Sequence, residues 1–214
     1  MIRYEKYMTE NTQKLQDTFH ASATIQKVQD KVTRTRNGQL HDGPKGEPAL
    51  EEYDAGGKLV RILHCDKGRD HNGPSGIAEK VWTGNGTTVF IRRALWNVPT
   101  NGPRGEPAIE KYHPESGHIA EIQYYTDGQL NDPNPKTPAI QTWHSNGARS
   151  FAVHIRNGRK QDPRAGVPAV QAWDENGRLL KSEHFNNGRR VDPSQKPRTV
   201  WQPPMQPAVP GQRK

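Results

Sequence analysis

Apolar and polar residues alternate in short stretches of this chain, and glycine-containing turns separate the stretches. Val60 and Ile62 flank an arginine, and Ala120 and Ile122 flank a glutamate. Residues two apart point to the same face of a β-strand, whereas a helix places its apolar residues three or four apart. The pattern therefore predicts short, half-buried strands rather than helices.

The pattern recurs with a period of 30 residues. The sequence is AIQTWHSNGARSFAVHIRNGRKQD over residues 139–162 and AVQAWDENGRLLKSEHFNNGRRVD over residues 169–192. Five such units can be aligned, which is the signature of a repeat architecture. Each unit has an aromatic residue four positions after an alanine, followed by a glycine four or five positions later. The aromatic positions are Tyr53, Trp82, Tyr112, Trp143 and Trp173, and the glycine positions are Gly57, Gly86, Gly117, Gly147 and Gly177.

Two turns in each unit predict that the chain reverses twice. Asn146-Gly147 and Asn176-Gly177 have the composition of a two-residue type I′ turn, which requires positive φ at both positions. A second turn, such as Asn157-Gly158, follows eleven residues after the first. The predicted fold is mainly β. It is an array of antiparallel β-hairpin repeats, about five units of about 30 residues, that forms an elongated single sheet or solenoid.

The two ends of the chain differ from the array. Between residues 9 and 32 the apolar residues are spaced near three and four, which predicts a short helical or irregular cap. Val28, Asp30 and Val32 alternate, so we expect the cap to end near residue 26 and a strand to follow. The predicted divisions are an N-terminal cap over residues 1–36, the repeat domain over 37–201, and a disordered Pro-rich tail over 202–214.

The motifs W-x-x-N-G and N-G-x-x-x-D in residues 173–192 resemble the MORN-type repeat, in particular the variant in bacterial YwqK-like antitoxin proteins. The likeness covers residues 37–201, with two departures. Each unit is longer than the usual repeat because it carries an extra Pro/Gly loop, and Asp or Asn replaces the closing glycine. The resemblance implies an elongated hairpin array that holds other molecules, and it implies no catalytic residues.

Charge and cysteine usage narrow the class of protein. The 214 residues include 31 Lys and Arg against 23 Asp and Glu, a formal charge of +8 that favours anionic partners or acidic protein surfaces. Only 30% of the residues are hydrophobic, so the core must be thin. The single cysteine, Cys65, excludes an internal disulfide and a cysteine-based zinc cluster. No apolar run has the length of a secretion signal or a membrane span, so we expect a cytoplasmic protein.

No motif predicts an enzyme, a metal site or a cofactor site. His64, His154 and His184 recur in one slot of the repeat, but two neighbouring imidazoles make a poor metal site. An exposed strand face is the favoured interpretation of these histidines. Asp132 and Asp162 precede proline after a glycine turn, which favours ordinary turn chemistry over a calcium or nucleotide ladder. We therefore predict no catalytic, metal-binding or cofactor-binding residues.

The aromatic row permits two interpretations. Its rings could stack on single-stranded nucleic acid beside basic residues, or they could pack neighbouring hairpins together. Each aromatic shares a strand face with the small alanine four residues earlier, so the packing interpretation is favoured. The basic residues predicted to bind a partner are Arg92, Arg93, Arg149, Arg156, Arg159 and Lys160.

The leading functional hypothesis is a non-enzymatic protein that binds and inhibits or neutralises a partner protein, in the manner implied by its likeness to antitoxin repeats. The partner would be a toxin or a nucleic-acid-processing complex, and a phage inhibitor of a host defence nuclease fits equally well. The alternative is direct binding of nucleic acid or anionic lipid through the basic residues. An open array also has edge strands, through which two copies could form a homodimer.

Overall fold

The computed structural model describes residues 30–192, and within this range the protein consists of strands and turns without a helix. In chain order the strands are β1 (Asp30–Thr33), β2 (Thr35–Arg36), β3 (Gln39–Leu40), β4 (Leu50–Tyr53), β5 (Leu59–Leu63), β6 (Cys65–Asp66), β7 (Arg69–Asp70), β8 (Glu79–Trp82), β9 (Thr88–Arg92), β10 (Ala94–Leu95), β11 (Val98–Pro99), β12 (Ile109–Tyr112), β13 (Ile119–Gln123), β14 (Tyr125–Thr126), β15 (Gln129–Leu130), β16 (Ile140–Trp143), β17 (Arg149–Val153), β18 (Ile155–Arg156), β19 (Arg159–Lys160), β20 (Val170–Trp173), β21 (Leu179–Asn186) and β22 (Arg189–Val191).

Twelve of these strands form one antiparallel sheet, in the order β1-β4-β5-β8-β9-β12-β13-β16-β17-β20-β21-β22. Strands β4 and β5 form a hairpin, and β5 pairs in turn with β8 of the next hairpin. The same arrangement is repeated as far as β20 and β21, so each unit adds two strands to the sheet. The predicted mainly β array of antiparallel hairpins is confirmed.

Six short hairpin ribbons alternate with the hairpins of the sheet. Five are separate two-stranded sheets, and the sixth is formed by the end of β21 with β22, which the strand order above counts with the large sheet. We number them ribbons 1 to 6, and they comprise residues 35–40, 65–70, 94–99, 125–130, 155–160 and 185–190. Main-chain hydrogen bonds join adjacent ribbons: the Gly68 N–H donates to the Leu40 carbonyl and the Gly188 N–H to the Lys160 carbonyl, both at 2.8 Å. The ribbons therefore lie side by side and form a second layer, which we call the ribbon layer.

The two turns of each unit differ in backbone geometry. Ribbon turns have positive φ at both central residues, for example 50° at Asn157 and 70° at Gly158, which defines type I′. In the sheet hairpins only the glycine has a positive φ, for example 83° at Gly147. The Gly147 N–H donates to the carbonyl three residues earlier at 2.9 Å, as in a three-residue loop closed by a glycine bulge. The predicted type I′ turns at Asn146-Gly147 and Asn176-Gly177 are therefore wrong.

A row of alanines forms the most deeply buried part of the protein. One alanine precedes the first sheet strand of each unit, and all five are 0% exposed: Ala49, Ala78, Ala108, Ala139 and Ala169. Two apolar clusters lie beside the row. One contains Leu50, Leu63 and Cys65, and the other contains Ile140, Phe151, Val153, Ile155 and Val170. Because Cys65 and Ile155 belong to ribbons, the core lies between the sheet and the ribbon layer.

Strands β1 and β2 lie within residues 1–36, so β structure begins inside the segment predicted as a cap. Strand β1 is the strand expected to follow residue 26. The predicted helical part of the cap and the predicted tail over residues 202–214 lie outside the described residues. Trp201, whose spacing predicts a truncated sixth unit, lies outside them as well. Between residues 30 and 192, no helix is long and apolar enough to span a bilayer.

Candidate functional site

The ribbon layer carries most of the net charge of the chain. Its six ribbons contain eight Arg and Lys residues and three Asp residues, an excess of five positive charges out of a formal +8. Two of the three aspartates are engaged inside the protein. Asp66 Oδ1 lies 3.0 Å from His41 Nδ1, and Asp70 Oδ2 accepts a hydrogen bond from Arg92 at 2.6 Å. The available charge of this layer is therefore positive.

Most ribbon cations are exposed and lack a carboxylate partner among residues 30–192. Arg190 is an exception, because it lies 3.4 Å from Glu183. The ribbon cations that form no ion pair within residues 30–192 are Arg36, Lys67, Arg69, Arg156, Arg159 and Arg189. The Arg159 guanidinium donates to Asn187 Oδ1 on the next ribbon at 3.1 Å, which fixes its position without neutralising it. These side chains form the candidate interaction surface.

Arg92 and Arg93, which were predicted to bind a partner, are engaged within the sheet. The Arg92 guanidinium contacts Asp70 at 2.6 Å and Glu79 at 2.9 Å. Arg93 is 9% exposed and donates to Glu110 Oε1 at 2.5 Å and to the Pro107 carbonyl at 2.6 Å. Both side chains connect neighbouring strands, so we do not include them in the candidate surface.

The other four predicted partner-binding residues lie in two places. Arg149 is on the sheet, where its guanidinium donates to Gln141 at 2.9 Å and lies 6.0 Å from the centre of the Trp173 ring. Arg156, Arg159 and Lys160 all belong to ribbon 5, and the first two are part of the candidate surface. The Lys160 ammonium lies 5.1 Å from the centre of the Phe185 ring of ribbon 6, at a distance typical of a cation–π contact.

The five repeated aromatic residues end the first strand of each sheet hairpin. All five are half-buried: Tyr53, Trp82, Tyr112, Trp143 and Trp173. At each of them the pairing register shifts, so the aromatic faces a β-bulge on the neighbouring strand. Burial and a hydrogen bond to Glu110 raise the pKa of the Tyr112 hydroxyl. The five repeated glycines follow in the hairpin loops, each with a positive φ: Gly57, Gly86, Gly117, Gly147 and Gly177.

An aspartate or asparagine side chain connects each unit to the next. Asp132 Oδ1 accepts hydrogen bonds from the Ala139 N–H at 2.7 Å and from the Ile155 N–H at 2.9 Å. The second bond spans 23 residues, so this contact does more than shape a local turn. The residues in this slot, which we call the joint residues, are Asp42, Asn72, Asn101, Asp132 and Asp162.

The repeated histidines contact the joint residues. Nδ1 of His64, His154 and His184 lies 2.7 Å from the second carboxylate oxygen of an aspartate in each case. His64 is 4% exposed and His154 is 7% exposed. The predicted exposed strand face is therefore wrong for these two histidines. Each lies at the corner between a sheet strand and a ribbon strand, where its side chain turns toward the joint residue.

Cys65 is a candidate nucleophile because of its thiol group. This thiol is 1% exposed, and burial together with the nearby Asp70 carboxylate raises its pKa to about 12. A thiol with so high a pKa is almost entirely protonated at neutral pH and is a poor nucleophile. Among the described residues, no group of three or more His, Cys, Asp and Glu side chains is arranged to hold a metal ion.

The structure also reveals an exposed apolar group on ribbon 3 that the sequence reasoning missed. Leu95, Trp96 and Val98 are 48%, 50% and 45% exposed. Beside Trp96 lies an open cavity of about 540 Å³, lined by Gln39, Lys67, Arg69 and Trp96. The sequence contains a signal for this group, because the aligned second turns have an apolar sequence only in this unit.

Comparisons with known proteins do not assign a family. No family model matches the chain, and no curated protein matches it. A solved structure of alternansucrase in complex with isomaltononaose matches with 15% sequence identity and a TM-score of 0.15. The match covers 75% of this chain and 11% of the alternansucrase chain. A likeness this weak bears on neither the fold nor the function.

Proposed function

We propose that this protein is a non-enzymatic repeat scaffold that binds an acidic partner protein through its ribbon layer and inhibits or neutralises that partner. The observation that carries the proposal is the set of six exposed ribbon cations that form no ion pair within residues 30–192, namely Arg36, Lys67, Arg69, Arg156, Arg159 and Arg189. The cations of the sheet differ, since residues such as Arg61 and Arg92 each contact two carboxylates. The ribbon charges are therefore not required to balance charge inside the fold.

The ribbon layer suits recognition because main-chain hydrogen bonds join adjacent ribbons into one framework. Each ribbon contributes two strands, and strands in a sheet are about 4.8 Å apart, so equivalent side chains recur about every 10 Å. Side chains held on such a framework lose little freedom on binding, which favours affinity. Exposed Arg residues at an interface also increase the rate of association with an acidic surface.

The biological setting of the proposal rests on the resemblance to YwqK-like antitoxin repeats. In that setting the partner is a toxin or a nucleic-acid-processing complex, and inhibition follows when the scaffold covers its functional surface. A phage protein that neutralises a host defence nuclease is a second such setting, in which the ribbon cations would contact an acidic surface of the nuclease. Cytoplasmic localisation is part of this proposal.

Charge reversal on ribbon 5 tests the proposal. The full-length tagged chain is used to capture partners from cells of the source organism, and the captured protein is identified by mass spectrometry and purified. We expect the double variant Arg156→Glu with Arg159→Glu to bind this protein about 10- to 100-fold more weakly in a calorimetric titration at 0.15 M salt.

The matched control makes the same change in net charge elsewhere. Lys136→Glu with Arg164→Glu alters two exposed cations in the Pro-containing loops, outside the ribbons. We expect this variant to bind within about twofold of the parent, because exposed charges at a distance are screened at this ionic strength. Unchanged binding by the ribbon variant, or equal losses in both variants, would contradict the proposal.

Direct binding of nucleic acid is a second candidate function, and the same unpaired cations favour it. Several phosphate contacts would make the affinity fall steeply with salt. A gel-shift series with single-stranded and duplex oligonucleotides between 0.05 and 0.3 M salt separates the two functions. Tight, salt-sensitive binding that is lost in the ribbon 5 variant would favour nucleic acid over a protein partner.

A further inference from the structure

Ribbon 3 differs from the other five ribbons at three exposed positions. These are the second, third and fifth residues of each ribbon, and in ribbon 3 they are Leu95, Trp96 and Val98. The other ribbons have only polar or charged residues there: Arg36, Asn37 and Gln39; Asp66, Lys67 and Arg69; Thr126, Asp127 and Gln129; Arg156, Asn157 and Arg159; Asn186, Asn187 and Arg189. The repeat therefore does not need apolar side chains at these positions in order to fold.

The backbone of ribbon 3 also shows that Trp96 is an unfavourable choice for the turn. Its φ is 56°, in the left-handed region that disfavours large side chains, and Asn97 follows with a φ of 69° in place of glycine. Asn97 is accommodated because its Oδ1 accepts the Asp70 N–H at 2.7 Å. The Trp96 ring stacks on His71 with the ring centres 6.4 Å apart. Strained, exposed residues of this kind concentrate at functional sites.

We propose that Leu95, Trp96 and Val98 form the apolar anchor for an acidic segment of a partner protein. This inference rests on the proposed function, and it specifies the residues at the centre of the partner-binding surface. The cavity beside Trp96 is bordered by the exposed cations Lys67 and Arg69. An apolar centre with a charged rim is the usual arrangement of a protein interface, and tryptophan is among the residues that contribute most to binding.

The chemistry of the anchor favours a protein over other occupants. Single-stranded nucleic acid binds to successive aromatic rings, whereas two of the three anchor residues are aliphatic. The turn residues of the adjacent ribbons are Lys67 and Asp127, which offer no second ring for stacking. A second copy of this chain would place its own positive ribbon charges against Lys67 and Arg69. An apolar side chain flanked by Asp or Glu fits both the anchor and its rim.

Peptide selection with a matched variant tests this inference. Random 12-residue peptides displayed on phage are selected on the full chain and counter-selected on the triple variant Leu95→Thr, Trp96→Asn, Val98→Gln. The new residues already occur at the same positions of ribbons 4 and 5, as Thr126, Asn157 and Gln129. A methyl group added at Gly158 would meet Gln129 of the preceding ribbon, and one added at Gly128 would meet Val98. The two side chains therefore occupy equivalent places, and the variant is expected to fold.

We expect the selected peptides to combine one large apolar residue with at least two Asp or Glu residues. A synthetic peptide of this sequence should bind the parent chain at least about 20-fold more tightly than the triple variant, as measured by fluorescence polarisation. The control is Leu180→Gln, which removes an exposed apolar side chain elsewhere, 62% exposed, and should leave the affinity unchanged.

Other outcomes would overturn the inference. Selected peptides that bind the parent chain and the triple variant equally would exclude an anchor on ribbon 3. Binding of a labelled 30-nucleotide oligothymidylate that the triple variant loses would make the group a nucleic-acid site. A dimer of the parent chain that the triple variant cannot form, seen by light scattering, would make it a self-association surface.

Binding of the captured partner to the two variants distinguishes a failure of this inference from a failure of the proposed function. If the ribbon 5 variant loses the partner and the triple variant keeps it, the anchor is rejected and binding through the ribbon charges stands. If the triple variant loses the partner and the ribbon 5 variant keeps it, the anchor stands and the wider role of the ribbon layer is rejected.

Discussion

At the scale of single residues, the joint residues explain how one unit is held to the next. Asp162 Oδ1 accepts the Ala169 N–H at 2.8 Å and the Phe185 N–H at 2.9 Å, and its other oxygen lies 2.7 Å from His184. A buried backbone N–H without an acceptor is costly, so one carboxylate that satisfies two of them stabilises both segments. The repeated histidine holds that carboxylate in place.

Substitution of Asp132 measures the stability that a joint residue provides. We expect Asp132→Ala to lower the free energy of unfolding by about 2–4 kcal/mol, because it leaves the Ala139 and Ile155 N–H groups without an acceptor. Asp132→Asn keeps an acceptor oxygen and should lower it by less than about 1.5 kcal/mol. Urea denaturation followed by circular dichroism gives both values.

Two natural copies support the expected difference between these variants. Asn72 and Asn101 already occupy the joint slot, where their Oδ1 atoms accept the Ala94 and Tyr125 N–H groups at 2.9 Å. In these two units the Ala78 and Ala108 N–H groups donate to the Arg92 and Gln123 carbonyls instead. If the alanine and asparagine variants of Asp132 lower the free energy of unfolding equally, the stabilisation comes from the carboxylate charge and not from the position of the acceptor oxygen.

The sequence identifies the residues that occupy the joint slot, but it does not identify the N–H groups that they contact. The period identified Asp132 and Asp162 as equivalent, yet turn chemistry alone does not indicate which N–H groups the carboxylate reaches 7 and 23 residues away. An exposed face is predicted for His154 because two neighbouring imidazoles make a poor metal site. In the structure the strand β17 ends at Val153, and the change of direction toward ribbon 5 turns the histidine inward.

At the scale of elements, the Asn-Gly pairs predicted hairpins correctly and turn types only in part. Both turns contain glycine in every unit except at the ribbon turn Trp96-Asn97, but only the ribbon turn has positive φ at two residues, as at Asn187 and Gly188. The sheet turn has a positive φ at one glycine, such as Gly177, which closes a three-residue loop. Composition alone does not distinguish the two, because an asparagine is accepted in either position.

Two tryptophans in different elements should respond in opposite ways to substitution. Trp143 is half-buried at a β-bulge, and its carbonyl accepts a hydrogen bond from His113 that alanine preserves. Trp143→Ala should therefore cost about 2 kcal/mol, roughly half of what a fully buried ring costs. Trp96→Asn removes the strain of a large side chain in the left-handed backbone conformation, about 1–2 kcal/mol, but it also removes the stacking on His71. We therefore expect the free energy of unfolding to be unchanged or slightly higher.

Thermal and urea denaturation of the two variants provide the measurement, and Asn157→Trp provides the control. That substitution places a tryptophan in the equivalent turn of ribbon 5, where φ is 50°, and should destabilise the chain. A loss of stability from Trp96→Asn as large as that from Trp143→Ala would show that Trp96 is a packing residue and would weaken the case for the anchor on ribbon 3.

At the scale of the whole molecule, the two layers differ in how their charges are partnered. In the sheet, ion pairs such as Lys111 with Glu121 at 3.0 Å satisfy charges between strands. In the ribbon layer, an excess of five positive charges remains at the surface. The sequence could predict the array and its basic character, but the two-residue ribbon strands are too short to show a hydrophobic period. The division of charge between layers could therefore not be predicted.

Because each unit contacts mainly its neighbours, the position of a broken joint should determine how far unfolding spreads. Asp132 connects units in the middle of the array, whereas Asp42 connects ribbons 1 and 2 near one end. We expect Asp132→Ala to raise hydrogen exchange on both sides of the joint, from strand β13 to strand β20. Asp42→Ala should raise it only over strands β1 to β8. Hydrogen exchange followed by mass spectrometry resolves these segments, and equal, chain-wide increases in both variants would instead show that residues 30–192 unfold as a single cooperative unit.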